Sequence, residues 1–125
     1  MDDYLASVEH LTDEVTLVVP TAAVQHSRDG RQLRVLIADL ARQGRVRIVL
    51  DLADLGELWS FDLAALMHGL QLCRTGGGAI ALVCGMRQHR EALAKAGLDA
   101  VFVLSDTVPQ AVESLARVQP SADAP

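Results

Sequence analysis

Val46-Arg47-Ile48-Val49-Leu50-Asp51-Leu52 is the clearest strand in the sequence, an apolar run whose β-branched residues suit a pleated, buried surface. After it, Ala53 to Leu58 reads as a connection, and helical periodicity runs from Ser60 to Arg74. Thr75-Gly76-Gly77-Gly78 ends that helix, because consecutive glycines remove side-chain support and permit positive φ. Ala79-Ile80-Ala81-Leu82-Val83-Cys84-Gly85 is continuously apolar, the pattern of a strand covered on both faces. A helix from about Arg87 to Ala96, capped by Gly97, leads to a last strand at Val101 to Leu104. The final helix, from about Thr107 to Arg117, tolerates Pro109 in its first turn.

In the other direction, Gly44 closes a helix whose apolar residues Leu33, Leu36, Ile37 and Leu40 recur at helical spacing. His26-Ser27-Arg28-Asp29-Gly30 reads as loop. Val15-Thr16-Leu17-Val18-Val19 is a short β-branched strand stopped by Pro20. Tyr4 to His10 alternates weakly and reads as an edge strand, paired with its neighbour as a hairpin. The order β-β-α-β-α-β-α-β-α predicts a mixed, mainly parallel α/β sheet of about five strands with about four helices. One domain is expected over residues 1–118, with 119–125 as a frayed, disordered tail.

The 125 residues are 50% hydrophobic, enough for one buried core and too apolar for a disordered chain. No apolar run reaches the roughly 18 residues of a membrane span, and the acidic start predicts no secretory signal. A cytoplasmic protein without direct membrane insertion is the expectation. A net charge of −5 disfavours nucleic acid, and the ten arginines among the eleven basic residues are scattered. Cys73 and Cys84 sit inside apolar runs and read as buried thiols.

Most catalytic and ligand-binding patterns fail on chemistry. The triple glycine precedes a strand, not a helix, so it lacks the amide-lined helix start of a phosphate loop. His10, His26, His68 and His89 are dispersed, with no pair at metal-ligand spacing. No serine stands in a Gly-x-Ser-x-Gly elbow. Asp51, Asp54, Glu57 and Asp62 gather near one strand end. Such acids can hold a divalent cation, but more commonly they solvate a loop and cap a helix. No metal and no cofactor is expected.

Two of the four aromatic residues flank Ser60 in Glu57-Leu58-Trp59-Ser60-Phe61-Asp62-Leu63. Ser60 is placed to be an N-cap, and Asp62 suits the positive end of the helix dipole. Leu63 stands where a capping box wants Glu or Gln. The helix carries two apolar stripes. Leu63, Leu66, Met67, Leu70 and Cys73 suffice to pack on a sheet, whereas Phe61, Ala65, His68 and Leu72 must meet another helix or another protein. For Trp59 and Phe61, core packing and an interface role both remain open.

From about Val15 to Leu115 the chain resembles a STAS domain, the fold of bacterial anti-sigma factor antagonists. Arg47-Ile48-Val49-Leu50-Asp51-Leu52-Ala53-Asp54-Leu55 is similar to a family strand. The run from Leu70 to Val83 resembles the family's helix, double-glycine turn and apolar strand. Leu93-Ala94-Lys95-Ala96-Gly97-Leu98-Asp99-Ala100-Val101-Phe102 resembles a helix ending in x-x-G-L-D-x-x-F. In antagonists of this family the intervening segment reads D-S-S-G-L, and a partner kinase phosphorylates its first serine. Here Trp59-Ser60-Phe61-Asp62-Leu63 occupies that place, so the resemblance puts the phosphorylatable position at Ser60. The family's early G-E-L-D loop is not recognisable around Thr21 to His26.

The resemblance implies a non-enzymatic protein that binds an anti-sigma factor of the ATP-binding, serine kinase type. Ser60 would be the regulatory phosphorylation position, and Trp59, Phe61, Asp62, His68 and Leu72 the partner-binding face. Asp62 already places a negative charge in the turn that a phosphate would enter. Trp59 and Phe61 put bulk where the family has small polar groups, to block a kinase or to anchor a partner. One alternative keeps the fold as a subunit of a lipid-transport ABC system or a stress-signalling scaffold. Another, a small enzyme using Ser60 or the acidic loop, predicts a deep pocket with a histidine in reach of Ser60.

Overall fold

The structure, a computed structural model, describes residues 6–25 and 31–118. Its strands are β1 (Ala6–His10), β2 (Val15–Pro20), β3 (Arg47–Asp51), β4 (Ala79–Val83) and β5 (Val103–Ser105). Its helices are α1 (Ala22–Gln25), α2 (Arg31–Arg42), α3 (Ser60–Thr75), α4 (Arg87–Lys95) and α5 (Val108–Ala116). The strands form one sheet in sequence order, β1-β2-β3-β4-β5. β1 runs antiparallel to β2, with Ala6 opposite Pro20, and every later pairing is parallel.

The mixed α/β sheet read from the sequence is present. α1, a single turn between Thr21 and residue 26, adds a fifth helix to the four expected, because four residues carry too little periodicity to be read. The expected loop at 26–30, the tail at 119–125 and the first two residues of the edge strand, Tyr4 and Leu5, lie outside the described residues. β5 starts two residues later than its apolar run. The carbonyl of Leu98 accepts from the amides of both Val101 and Phe102 (3.1 and 3.2 Å), so these residues turn instead of pairing. Phe102 becomes a buried plug in the core.

Alternation along β3 and β4 divides the interior in two. Ile48 and Leu50 of β3, with Ile80 and Leu82 of β4, join α2, α3 and α4 in the larger cluster, which includes Leu36, Ile37, Leu66, Leu70 and Leu93. Val49, Ala79, Ala81 and Val83 point the other way and meet Ala111 and Leu115 of α5. Helices on both faces explain why β4 is buried at every position.

The glycine turn after α3 is dictated by a close crossing. Gly77 has φ 85°, in the left-handed region. A Cβ on Gly78 would lie 2.0 Å from the carbonyl oxygen of Val46, a backbone atom that also accepts from the amide of Ala79 at 3.0 Å. Arginines tie the same end of the sheet together. Arg47 donates to the carbonyls of Leu115 and Val118 (3.1 and 2.9 Å), fixing the end of α5, and Arg74 donates to that of Val101 at 2.9 Å. The opposite, carboxyl end of the parallel strands carries the loops that bear the candidate site.

Candidate functional site

The loop from β3 to α3 is held at several points before it reaches Ser60. The Asp51 carboxylate accepts from the amide of Ala53 at 3.0 Å, turning the chain out of the strand. The amide of Leu55 donates to the carbonyl of Leu52 at 3.0 Å. Leu55 and Leu58 are buried in the main core, so the loop is pinned by apolar anchors and exposes Ala53, Asp54, Gly56 and Glu57. Trp59 then adopts an extended conformation (φ −95°, ψ 169°) and α3 begins.

The N-cap is Trp59, and Ser60 is the first helical residue, one step from the capping position expected for it. The backbone explains the shift. Asp62 sits 2% exposed, and its Oδ2 accepts from the amide of Trp59 at 2.7 Å. This is the returning half of a capping box, supplied by an aspartate two residues after Ser60, and an indole has no oxygen to complete the other half. With the helix start capped by Asp62, the Ser60 side chain is left at the surface. Trp59 is 53% exposed, unusual for the largest side chain of a well-packed protein.

The structure splits the expected contact face. Trp59 and Ser60 are exposed together at the mouth of α3, with Phe61 half-buried beside them. Asp62 turns inward, so its carboxylate belongs to the cap and not to the outer surface. His68 and Leu72 lie further along α3, both half-buried. The buried arc of α3 is Asp62, Ala65, Leu66, Gly69, Leu70 and Cys73, rotated from the stripe read in the sequence. α2 packs beside it so closely that a Cβ on Gly69 would meet the Cδ1 and Cγ2 of Ile37, each at 2.9 Å. The second stripe therefore meets a helix of its own chain in part: Ala65 is fully buried, while Phe61, His68 and Leu72 keep some exposure.

A groove of about 460 Å³ runs beside this site, between the loop and α4. Glu57, Leu58 and Leu63 form one wall, and Gln88, Glu91, Ala92 and Lys95 the other. On α4, His89, 1% exposed, donates through Nε2 to the carbonyl of Gly56 in the loop at 2.8 Å. Met86, the residue before α4, is 40% exposed on the same carboxyl end of the sheet as Trp59. The His89–Gly56 bond spans 33 residues and leaves no signature in any local pattern.

The surroundings of Ser60 differ from those of a hydrolytic nucleophile. His68 stands eight residues on, roughly 12 Å along the helix axis, and His89 is engaged with Gly56. Among the described residues, no group of three or more His, Cys, Asp or Glu side chains is placed to hold a metal ion. The carboxylates of Asp51 and Asp62 serve backbone amides instead. Burial pushes the thiols of Cys73 and Cys84 up to about 12 and about 11, which makes them poor nucleophiles. No described helix is long and apolar enough to cross a membrane.

A sheet opened by one antiparallel strand, continued by parallel strands in sequence order and covered on both faces by helices, is the fold of solved anti-sigma factor antagonist (STAS) domain proteins. A Thermotoga maritima protein provisionally named an anti-sigma factor antagonist is 23% identical over 107 residues, covering 86% of this chain and 95% of its own length. A crystal structure of an antagonist so named from that organism superposes with a TM-score of 0.76 at 22% identity, covering 91% of this chain and 97% of the other. The phosphorylated form of the Bacillus cell-fate determinant SpoIIAA matches with a TM-score of 0.65 at 16% identity, over 87% of this chain and 97% of that one. No protein-family model matches the chain.

Proposed function

We propose that this protein is an anti-sigma factor antagonist, a non-enzymatic regulator that binds an anti-sigma factor through the surface at the start of α3. The partner is of the ATP-binding, serine kinase type, and Ser60 is the position it phosphorylates. The observation that carries this reading is an exposed tryptophan next to an exposed serine at a helix N-terminus, in the fold of named antagonists. Trp59 supplies the apolar anchor, since large aromatics held at the surface dominate binding energy when a partner covers them. Phe61, His68 and Leu72 extend the contact along α3, and the groove toward α4 borders it. Asp62 contributes by presenting the site: it caps the helix so that the Ser60 hydroxyl does not have to.

A phosphate on Ser60 would add nearly two negative charges to this turn. The first turn and dipole of α3 attract them, and the Asp62 carboxylate repels them. The added charge beside Trp59 hinders burial of the indole against a partner, which is how modification would release the complex.

The test is incubation with ATP-binding anti-sigma factors and ATP, read by native and intact mass. Wild type should form a complex and then gain one phosphate, while Ser60→Ala should bind without gaining mass. Trp59→Ala should weaken binding by about tenfold or more, as expected for a central aromatic. Absence of binding to any such protein, or binding indifferent to both substitutions, would sink the reading.

A further inference from the structure

We infer that His89 is a positioning residue that sets the shape of the Ser60 surface by latching the β3–α3 loop to α4; its functional consequence rests on the reading of that surface as the partner site. The ring is 1% exposed and its Nε2 lies 2.8 Å from the Gly56 carbonyl oxygen. A carbonyl only accepts, so Nε2 carries the hydrogen and donates. The other ring nitrogen, Nδ1, is buried with no hydrogen-bond partner among the described residues. A buried polar atom without a partner is costly, and a leucine would fill similar space without that cost. The bond to Gly56 is therefore what the imidazole provides beyond packing.

The place of the bond gives it leverage. Gly56 lies between Leu55 and Leu58, which are sunk in the core, and four residues before Ser60. His89 sits on α4 between Gln88 and Glu91, which line the far wall of the groove, while Glu57 and Leu58 line the near wall. One bond thus joins α4 to the loop, the two elements that carry these walls, four residues before Ser60. Trp59 and Ser60 are exposed and lack cover of their own, so their presentation depends on how firmly this loop is held.

The test needs no partner, which keeps its failure separate from failure of the anti-sigma reading. Amide hydrogen exchange is measured across the chain for wild type, His89→Gln and His89→Leu. Fluorescence anisotropy of Trp59, the single tryptophan, is measured in parallel. His89→Gln retains a side-chain N–H and should keep slow exchange at residues 55–60. His89→Leu should speed exchange there by about tenfold or more and lower the anisotropy, with β3 and β4 unchanged. Unaltered exchange and anisotropy in His89→Leu, or acceleration spread evenly over all elements, overturns the proposal. Should His89→Leu fail to fold, the wild-type ring decides: NMR should find the hydrogen on Nε2 and exchanging slowly, and a ring carrying it on Nδ1 overturns the latch.

Discussion

Asp62 and Trp59 exchange the roles that their chemistry suggests. The charged side chain is buried and the indole is half in solvent, because the carboxylate serves the amide of Trp59 at the helix entrance. Asp62→Ala removes the cap and leaves that amide without this acceptor, so it should cost about 2 kcal/mol in urea denaturation. Asp62→Asn keeps an acceptor oxygen, and the loss should be smaller, about 1 kcal/mol. Trp59→Ala should change stability by less than about 1 kcal/mol, since half of the side chain is already exposed. A large loss of stability in Trp59→Ala would mean that the indole is a packing residue, which would remove the anchor from the proposed interface. The sequence showed the unusual neighbours of Ser60 but not their orientation. Which side chain of Trp59, Phe61 and Asp62 turns inward depends on where α2 and the loop lie.

Two glycines on or next to α3 stand for two kinds of constraint. Gly78 crosses the backbone of Val46, and a methyl group there would overlap a carbonyl that already holds Ala79. Gly78→Ala should destabilise by about 3 kcal/mol or more, measured by thermal or urea unfolding. At Gly69 the added methyl would lie 2.9 Å from both Cδ1 and Cγ2 of the fully buried Ile37, a β-branched side chain stiff at χ1, while alanine favours the helix by about 1 kcal/mol. Gly69→Ala should therefore cost about 1–2 kcal/mol, less than Gly78→Ala because a side chain and not a backbone carbonyl has to move. Equal costs at the two sites would show that the Val46 crossing is not rigid. The turn itself was legible as three consecutive glycines. The partner in the crossing was not, because Val46 is 32 positions earlier in the chain.

For the whole molecule, the buried thiols predict an alkaline limit. Cys73 and Cys84 rise from 9.0 to about 12 and about 11 through desolvation, with Asp106 and Asp51 also raising Cys84 and Arg90 opposing them. In the unfolded chain both ionise near pH 9; in the fold they stay protonated. Stability is then fully present below pH 9 and falls as pH rises toward 11–12, by up to about 1.4 kcal/mol per pH unit for each thiol. Urea denaturation at pH 8 and pH 10.5 should show the decline, and the Cys73→Ala, Cys84→Ala double variant should show less of it. At pH 8 the native protein should resist alkylation, and the urea-unfolded protein should react at both cysteines. Rapid labelling of the native state would mean that the interior opens more readily than its packing implies.

The order of the main elements, the hairpin start, the burial of β4 on both faces and the end of α3 were legible in the sequence, because each rests on periodicity or turn chemistry within a dozen residues. α1 and the start of β5 escaped it, the first for want of length and the second because two apolar residues were spent on a turn and a core plug. That Ser60 faces out, that Asp62 faces in and that His89 reaches Gly56 emerged with the assembled fold. The His89–Gly56 contact follows from parallel pairing of β3 with β4, which brings the loops after both strands to one end of the sheet. Neighbours made by that pairing lie 30 or more residues apart, and no local pattern records them.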